Sequence, residues 1–138
     1  MGWAIGAAIG MAFANRQRKT LCITGDGCML MHGTEISVAA EHGVNLLVLV
    51  FNNRSHGHIR LTQLLDFDGD TIGTCIPPID FAQWMSAMGV VSFKVSTPST
   101  FDATLRKALA IVGTAVVEID CHPNEVPACL RNWIEEIS

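Results

Sequence analysis

The sequence is poor in charged residues and has no cluster of positive charge. Lysine, arginine, aspartate and glutamate together make up 16% of its 138 residues, and the formal net charge is −4. Because proteins hold the nucleic-acid backbone with clustered lysine and arginine, we expect no nucleic-acid partner. Hydrophobic residues reach 49%, which indicates one domain with a substantial core and a surface partly covered by another protein.

Paired cysteines are also lacking. The five cysteines form no Cys-x-x-Cys motif, and their number is odd. This usage does not match the even, regularly spaced set of a disulfide framework. We therefore predict reduced, mostly buried thiols and a cytoplasmic protein.

No apolar run is long enough to cross a bilayer. The run at residues 2–14 falls short of the roughly 20 residues that a spanning helix needs. A signal peptide would carry positive charge before the run, whereas here the basic residues at 16–19 follow it, where they oppose a helix dipole. We predict no membrane partner. Instead we expect a buried helix whose Gly2, Gly6 and Gly10 share one face and pack closely against a strand or another chain.

The most informative motif lies between two apolar runs. The first run ends in Gly-Asp-Gly at residues 25–27, and the second ends in Asn-Asn at residues 52–53. A helix-length segment, residues 29–42, separates them. The order strand, tight loop, helix, strand places Asp26 and Asn53 at the carboxyl ends of their strands. That edge is where open α/β sheets bind their ligands.

The residue types at this edge suit a metal and a phosphate group. A carboxylate from Asp26 and an amide oxygen from Asn53 are suitable ligands for Mg²⁺, which commonly bridges to phosphates. Gly25 and Gly27 allow a sharp turn and a close approach of the backbone to a ligand. The following helix directs its N-terminal N–H groups to the same place. The motif therefore predicts a metal and a diphosphate side by side.

The remainder of the chain alternates helices and strands. Such alternation predicts an α/β fold, a parallel sheet with helices on both faces, in a single domain over residues 1–138. The expected elements are a short helix at 58–65, an irregular stretch at 66–78, a helix at 81–88 that Asp80 caps and Gly89 ends, a strand at 90–95, a helix from Ser99 or Thr100 to about 112, a strand at 115–119, a turn-rich segment at 122–127 and a helix at 128–137.

The paired Gly-Asp-Gly and Asn-Asn motif resembles the cofactor motif of thiamine-diphosphate enzymes, in their diphosphate-binding domain. The stretch that begins Met1-Gly2 is similar to the helix start that precedes this motif in acetolactate-synthase-like and benzoylformate-decarboxylase-like members. Weaker likenesses at residues 80–82 and 116–120 extend the resemblance over nearly the whole chain. The resemblance implies the family's thiamine-diphosphate-binding fold and its cofactors, thiamine diphosphate and Mg²⁺.

The resemblance also implies roles for individual residues. The side chains of Asp26 and Asn53 and the backbone carbonyl of Ser55 correspond to the metal ligands. Gly27 and Cys28 correspond to residues that offer backbone N–H groups to the diphosphate; many members have serine where Cys28 stands, and the backbone donor is kept. The expected cofactor-binding residues are Met1, Gly2, Gly25, Asp26, Gly27, Cys28, Asn53, Ser55, His56 and Gly57.

Several roles stay open at this point. Met1 either contributes to the cofactor pocket or is only an initiator. His56 either contacts phosphate or merely shapes its loop, and His58 has no assigned role. Asn52 is expected to organise the turn. Glu35 is either a buried functional acid or a solvent-facing residue.

The resemblance implies an enzyme that decarboxylates a 2-oxo acid, with or without transfer of the remaining fragment to a second carbonyl compound. The glutamate that activates the cofactor belongs to a separate pyrimidine-binding domain, usually on a neighbouring subunit, and no match for it occurs here. We therefore expect no catalytic residue in this chain, which by itself would be inactive. The family's preceding strand and glycine-rich loop are also missing, so we expect a truncated C-terminal domain.

Two alternatives remain beside this domain of an acetolactate-synthase-like enzyme. One is a separately encoded cofactor-binding subunit of a two-subunit 2-oxo-acid decarboxylase or oxidoreductase. The other is a non-catalytic interaction module that retains the fold. For the domain of an acetolactate-synthase-like enzyme and for the separately encoded subunit, the expected partners are a 2-oxo acid substrate and a pyrimidine-binding domain or subunit. A homo-oligomer is expected as well.

Overall fold

The computed structural model describes residues 1–122. The expected turn-rich segment from 123 onward and the helix at 128–137 lie outside the described residues. The strands are β1 (Thr20–Gly25), β2 (Leu46–Asn52), β3 (Val91–Val95) and β4 (Thr114–Asp120). The helices are α1 (Trp3–Ala14), α2 (Asp26–His32), α3 (Ile36–Glu41), α4 (Gly57–Asp66), α5 (Phe81–Ala87) and α6 (Pro98–Ala110), with a 3₁₀ turn at Gly33–Glu35 between α2 and α3.

The four strands form one parallel sheet in the order β1, β2, β4, β3. Gly25 at the end of β1 pairs in register with Phe51, and Asn52 at the end of β2 pairs with Asp120. Because the strands run in the same direction, their carboxyl ends meet at one edge of the sheet. The loops that follow β1 and β2 therefore lie side by side. The predicted α/β fold with a parallel sheet is confirmed.

Helices cover both faces of the sheet. On one face, α1, α3 and α5 pack residues such as Ile5, Ile36 and Phe81 against the even-numbered side chains of β2. On the other face, α6 packs Ala108 and Leu105 against the odd-numbered side chains of β2. The strand is buried from both sides, and this explains why it reads as an unbroken apolar run rather than as an alternating pattern.

Helix α1 is buried on one face only within the described chain, and the predicted packing of its glycine face against another chain stays a prediction. Ile5, Ala8 and Ala12 are buried against the sheet. Gly6 and Gly10, however, face away from the protein, and a Cβ atom at either position would meet nothing within 4 Å. Their spacing therefore marks an exposed face and not a close contact within the described chain. None of the helices in residues 1–122 has the length and apolar character to cross a membrane.

The predicted helix over residues 29–42 is broken into pieces. It begins earlier, at Asp26, and a 3₁₀ turn interrupts it at Gly33–Glu35. Gly33 is buried where the ring of Trp84 from α5 packs, and a Cβ atom there would lie 3.1 Å from that ring. The interruption thus coincides with a tight tertiary contact, which the local sequence does not reveal.

Other helix ends differ less from the predictions. Asp80 caps α5, as predicted, by accepting a hydrogen bond of 2.7 Å from the backbone N–H of Gln83, and Gly89 follows with φ of +77°. Helix α6 begins at Pro98, not at Ser99 or Thr100, with Thr97 in the N-cap position. The fixed φ of proline suits the first helical position, which explains the earlier start.

The basic residues after α1 do not act as predicted. The helix ends at Ala14, and none of them lies in its last turn. Arg16 donates to the carbonyl of His42, and Lys19 donates to the carbonyl of Ile111. These side chains therefore tie the segment between α1 and β1 to other loops rather than opposing the dipole of α1.

The cysteines of the described region form no disulfide with one another. Burial, and to a smaller degree the charge of Cys28, raises the pKa of the Cys22 thiol. Cys75 is exposed, and the thiols at 28 and 121 are half-buried. Among the described cysteines only Cys22 is buried, so the prediction of mostly buried thiols is wrong for them.

β1 lies at an open edge of the sheet. Within residues 1–122 it pairs with β2 on one side only. Leu21 and Ile23, which point away from the face where Cys22 packs, are 51% and 62% exposed. An edge strand that shows apolar side chains favours association with another chain.

Candidate functional site

The loops after β1 and β2 bring oxygen atoms of two side chains together. Asp26 directly follows β1 and is only 3% exposed. The backbone N–H of Ser55, in the loop after β2, donates to Oδ2 of Asp26 at 3.2 Å and to Oδ1 of Asn53 at 3.1 Å. Both oxygens therefore converge on one point, as the strand pairing requires.

The carboxylate of Asp26 is buried and has no counter-charge among residues 1–122. Its Oδ1 atom accepts a hydrogen bond of 2.7 Å from the backbone N–H of Gly27, and its Oδ2 atom accepts from Ser55. In the part of the chain that the structure describes, no lysine or arginine forms an ion pair with it. A buried charge that is held only by neutral donors is costly. A cation beside these oxygens would offset that cost.

The backbone of Ser55 is fixed by an antiparallel bridge to Cys75. The carbonyl of Arg54 and the N–H of His56 make the two hydrogen bonds of this bridge, at 2.9 and 2.8 Å. In extended backbone, the N–H and C=O of one residue point to the same side, opposite to those of its neighbours. The Ser55 carbonyl therefore faces away from Cys75, toward the side on which its N–H meets the converging oxygens.

These oxygens form an unusual set for a transition metal but a suitable one for a hard cation. Among residues 1–122, no three histidine, cysteine, aspartate or glutamate side chains cluster as a metal site. A carboxylate, an amide oxygen and a backbone carbonyl instead match the oxygen ligands of Mg²⁺, which keeps further positions for water and phosphate.

Gly27, next to Asp26, packs closely against two side chains. A Cβ atom on Gly27 would lie 2.6 Å from Nδ1 of His56 and 2.9 Å from the terminal methyl of Met1. Nδ1 of His56 is buried, and no hydrogen-bond partner for it occurs among the described residues. The structure thus brings Met1, Gly27 and His56 together, around a nitrogen that is able to bind a polar group.

The two glycines of the Gly-Asp-Gly motif do not have equal roles, and the predicted sharp turn is absent. Gly25 has ordinary extended backbone, with φ of −106°, and the nearest atom to a Cβ there would be 3.9 Å away. Gly27 lies in the first turn of α2, and its lack of a Cβ leaves room for His56. Gly2 needs to be glycine for another reason: its φ is +83°, and a Cβ would collide with the ring of His32.

Two further predicted residues lie near Gly27 and Asn53. Cys28 is half-buried in the first turn of α2, where backbone N–H groups have no partner within the helix. Gly57 begins α4, and a Cβ there would come within 3.1 Å of Nδ2 of Asn53. Both residues therefore lie beside the converging oxygens, at the carboxyl edge of the sheet.

Other open roles are now narrower. Glu35 is exposed, so the alternative of a buried functional acid is wrong. His58 is exposed in α4, next to the site but not within it. Asn52 organises the turn, as predicted, because its Oδ1 atom accepts a hydrogen bond of 3.2 Å from the N–H of Arg54.

Sequence reasoning missed Glu118. This residue of β4 is fully buried, and its carboxylate accepts hydrogen bonds from Nδ2 of Asn52 at 2.7 Å and from the N–H of Ala82 at 2.9 Å. Nζ of Lys94 lies 3.1 Å away. The available signal was one acidic residue inside an apolar strand, which is rare unless the charge has a partner.

Lys94 connects this buried carboxylate to the surface. It also pairs with Asp80 at 3.1 Å and with Asp120 at 3.7 Å. Partial burial lowers the pKa of Lys94, but the hydrogen bonds and charges of the surrounding carboxylates outweigh burial and raise it. The ammonium group therefore stays charged at neutral pH.

Asp80 gives the fold a measurable pH dependence. The N–H of Gln83 chiefly, and then Lys94, hold the pKa of Asp80 below its ordinary value of 3.8, against the opposite effect of burial. A depressed pKa contributes stability above the ordinary value, and this contribution is lost as the pH falls through the folded-state value. We expect Asp80→Asn to lose less stability than wild type between about pH 5 and pH 3 in urea unfolding. Equal losses in both proteins would contradict this assignment.

Comparison with known proteins agrees with this geometry. Residues 1–119 match the family described as thiamine pyrophosphate enzyme, C-terminal TPP binding domain. Thiamine pyrophosphate, or TPP, is the same compound as thiamine diphosphate.

Named relatives and a solved structure point the same way. The chain is 30% identical over 127 residues to the acetolactate synthase large subunit of Haemophilus influenzae, and 28% identical over 126 residues to the acetolactate synthase isozyme 1 large subunit of Escherichia coli. In each case the alignment covers 91% of this chain and 22% of the relative. A thiamine diphosphate-dependent 4-hydroxybenzoylformate decarboxylase of Rhodococcus jostii superimposes with a TM-score of 0.84 at 26% identity, over 91% of this chain and 24% of that one.

The chain thus spans about a fifth of the length of these relatives. Its family match covers the parallel sheet, the converging oxygens and the close contact of Gly27 with His56 and Met1. The chain belongs to the thiamine pyrophosphate enzyme family and corresponds to its C-terminal TPP-binding domain.

Proposed function

We propose that this chain holds the diphosphate of thiamine diphosphate through Mg²⁺, as a domain of an acetolactate-synthase-like enzyme that acts on 2-oxo acids. The observation that carries the proposal is the buried carboxylate of Asp26, which converges with Oδ1 of Asn53 and has no counter-charge among the described residues. A divalent cation at this point would neutralise the carboxylate and present its remaining positions to phosphate oxygens.

Three protein oxygens are assigned to the metal. Asp26 supplies the charge, and Asn53 supplies a neutral oxygen. The backbone carbonyl of Ser55 is the third, supported by the direction that the bridge to Cys75 imposes on it. The Ser55 N–H, which now binds both side-chain oxygens, holds them in place on the side where the cation would lie.

The diphosphate is assigned to the surroundings of Gly27, where the side chains of His56 and Met1 lie close to the backbone. We assign the backbone N–H groups of Gly27 and Cys28, in the first turn of α2, to the diphosphate, because helix N-termini favour anions. The N–H of Gly27, which donates to Oδ1 of Asp26 in the ligand-free chain, would then turn to a phosphate oxygen. His56 supports the assignment, because its buried Nδ1 atom lacks a partner that a phosphate oxygen or a water bound to it would provide. We also assign Met1, which lies against Gly27, and Gly57, which lies against Asn53, to this site, together with Gly2 and Gly25, because their sequence neighbours Met1 and Asp26 belong to it.

The cofactor, when bound, supplies an electron sink for the loss of CO₂ from a 2-oxo acid. The part of this chain is to bind and orient the cofactor, and we assign it no catalytic residue. The relatives support the substrate class by their names: two are acetolactate synthases, and one is a 4-hydroxybenzoylformate decarboxylase. We propose that a pyrimidine-binding domain or subunit completes the site, so that this chain alone has no turnover.

Thermal unfolding with and without the two ligands tests the proposal. A ligand that binds only the folded chain stabilises it by about 2.7 kcal/mol at a hundredfold excess over its Kd. We expect the melting temperature to rise when Mg²⁺ and thiamine diphosphate are added together and to change little with either one alone. A shift with thiamine diphosphate in the presence of a chelator would contradict the metal assignment, and no shift with both ligands would contradict binding by this chain alone.

A further inference from the structure

We propose that Glu118 is a positioning residue for the metal-binding loop, acting through the side chain of Asn52. This inference rests on the proposed function for its consequence, the weaker binding of Mg²⁺, but its structural part concerns the loop itself. Glu118 lies on β4 and does not belong to the residues assigned to the metal or the cofactor. It touches the residue that directly precedes Asn53.

The contact between the two side chains is short and buried. Glu118 is fully buried, Asn52 is 4% exposed, and Oε1 of Glu118 lies 2.7 Å from Nδ2 of Asn52. Strand pairing fixes their separation, because Glu118 is in register with Val50, two positions before Asn52 on the neighbouring strand. The two side chains therefore meet on the same face of the sheet.

The carboxylate decides which way the amide of Asn52 points. An ionised carboxylate only accepts hydrogen bonds, so the amide must turn its N–H₂ group toward Glu118. Nδ2 also reaches the carbonyl of Ile79, another group that only accepts. The amide oxygen is consequently directed to the opposite side, where it accepts the N–H of Arg54.

This orientation determines the shape of the loop that carries the proposed ligands. Arg54 has φ of +57°, a backbone conformation that residues other than glycine rarely adopt. Its N–H is held by Asn52, and the next residue, Ser55, then directs its own N–H to Asp26 and Asn53. Without a fixed amide at Asn52, the strained residue lacks its hydrogen-bond partner at the start of the loop.

The cost of burying this carboxylate argues against a role in stability alone. Buried ion pairs are commonly no more stabilising than apolar residues of the same volume. Glu118 is the only polar residue between Ala115 and Ile119 of β4, and on the neighbouring strand Val48 and Val50 are fully buried. A methionine would fill this position. What only an acceptor provides is the orientation of Asn52 and a contact to the N–H of Ala82 at the start of α5.

Hydrogen exchange on the 138-residue chain tests the inference without any ligand. In Glu118→Met we expect the amides of Arg54 and Ser55 to exchange at least about tenfold faster, while those of Leu49 and Val50 in β2 stay protected. The affinity for Mg²⁺ in the presence of thiamine diphosphate should fall by about tenfold or more, as for other residues that orient metal ligands. Asp80→Asn is the matched control, because it removes a carboxylate from the same lysine without touching Asn52.

Asn52→Ala keeps the test decisive if Glu118→Met folds poorly. It leaves Glu118 with its other partners and should expose the same two amides, and the double variant should add nothing to either single effect. Unchanged exchange at Arg54 and Ser55, or equally faster exchange throughout β2, would overturn the inference. If wild type binds no Mg²⁺ with thiamine diphosphate, the proposed function fails, whereas the exchange data still decide whether Glu118 positions the loop.

Discussion

Asp26→Ala is expected to abolish the binding of thiamine diphosphate that depends on Mg²⁺, while the chain stays folded. The substitution removes the only charged ligand assigned to the metal. It also removes a buried carboxylate that has no counter-charge among the described residues, so its loss from the ligand-free chain is not a large destabilisation. The N–H of Ser55 keeps Oδ1 of Asn53 as a partner.

Isothermal titration calorimetry with thiamine diphosphate at saturating Mg²⁺ measures this effect. Wild type should give a saturable heat, and Asp26→Ala should give none at concentrations that saturate wild type. Asp102→Ala is a suitable control, because Asp102 is an exposed carboxylate on α6 whose ion pair within residues 1–122 is with Arg106. Equal affinity in Asp26→Ala and wild type would refute the metal assignment. Loss of binding in the control as well would point to a general effect of charge.

Gly27→Val is expected to remove cofactor binding by a different route. The added side chain would occupy the place where a Cβ already comes within 2.6 Å of Nδ1 of His56 and 2.9 Å of the Met1 methyl. Both neighbours are side chains that are able to move, so the free chain should lose only about 1–3 kcal/mol from overpacking. The added side chain would, however, keep the diphosphate away from the first turn of α2.

The matched control for this variant is Gly6→Val. Gly6 is also helical, and a side chain there meets nothing within 4 Å. We expect Gly6→Val to retain the combined thermal shift with Mg²⁺ and thiamine diphosphate, and Gly27→Val to lose it. A full shift in Gly27→Val would show that the diphosphate lies elsewhere. A ligand-free Gly27→Val chain that is unfolded by circular dichroism would instead show that the position is required for folding.

Local sequence was sufficient to predict the converging oxygens. Asp26 and Asn53 each follow an apolar run, and parallel pairing of two such strands must place their ends together whatever the details of packing. The structure adds the Ser55 N–H as the point at which they meet. That contact depends on the bridge to Cys75, which lies in a stretch without any regular pattern.

Features that depend on distant packing could not be predicted in this way. The spacing of Gly6 and Gly10 says that they share a face of α1, but not that this face looks outward. The interruption at Gly33 coincides with the ring of Trp84, which arrives from a helix about fifty positions later. The role of Glu118 can be inferred only once β4 is known to lie next to β2, because its partner Asn52 belongs to β2.

The parallel pairing of β1 with β2 also has a consequence for the order of events in folding. Asp26 and Asn53 meet only after these strands have closed around the helical segment between them, a contact that forms across a long stretch of chain. A partly folded chain thus has no place for the cation. Bound cofactor should accordingly slow unfolding, because it stabilises only the chain in which both strands are paired.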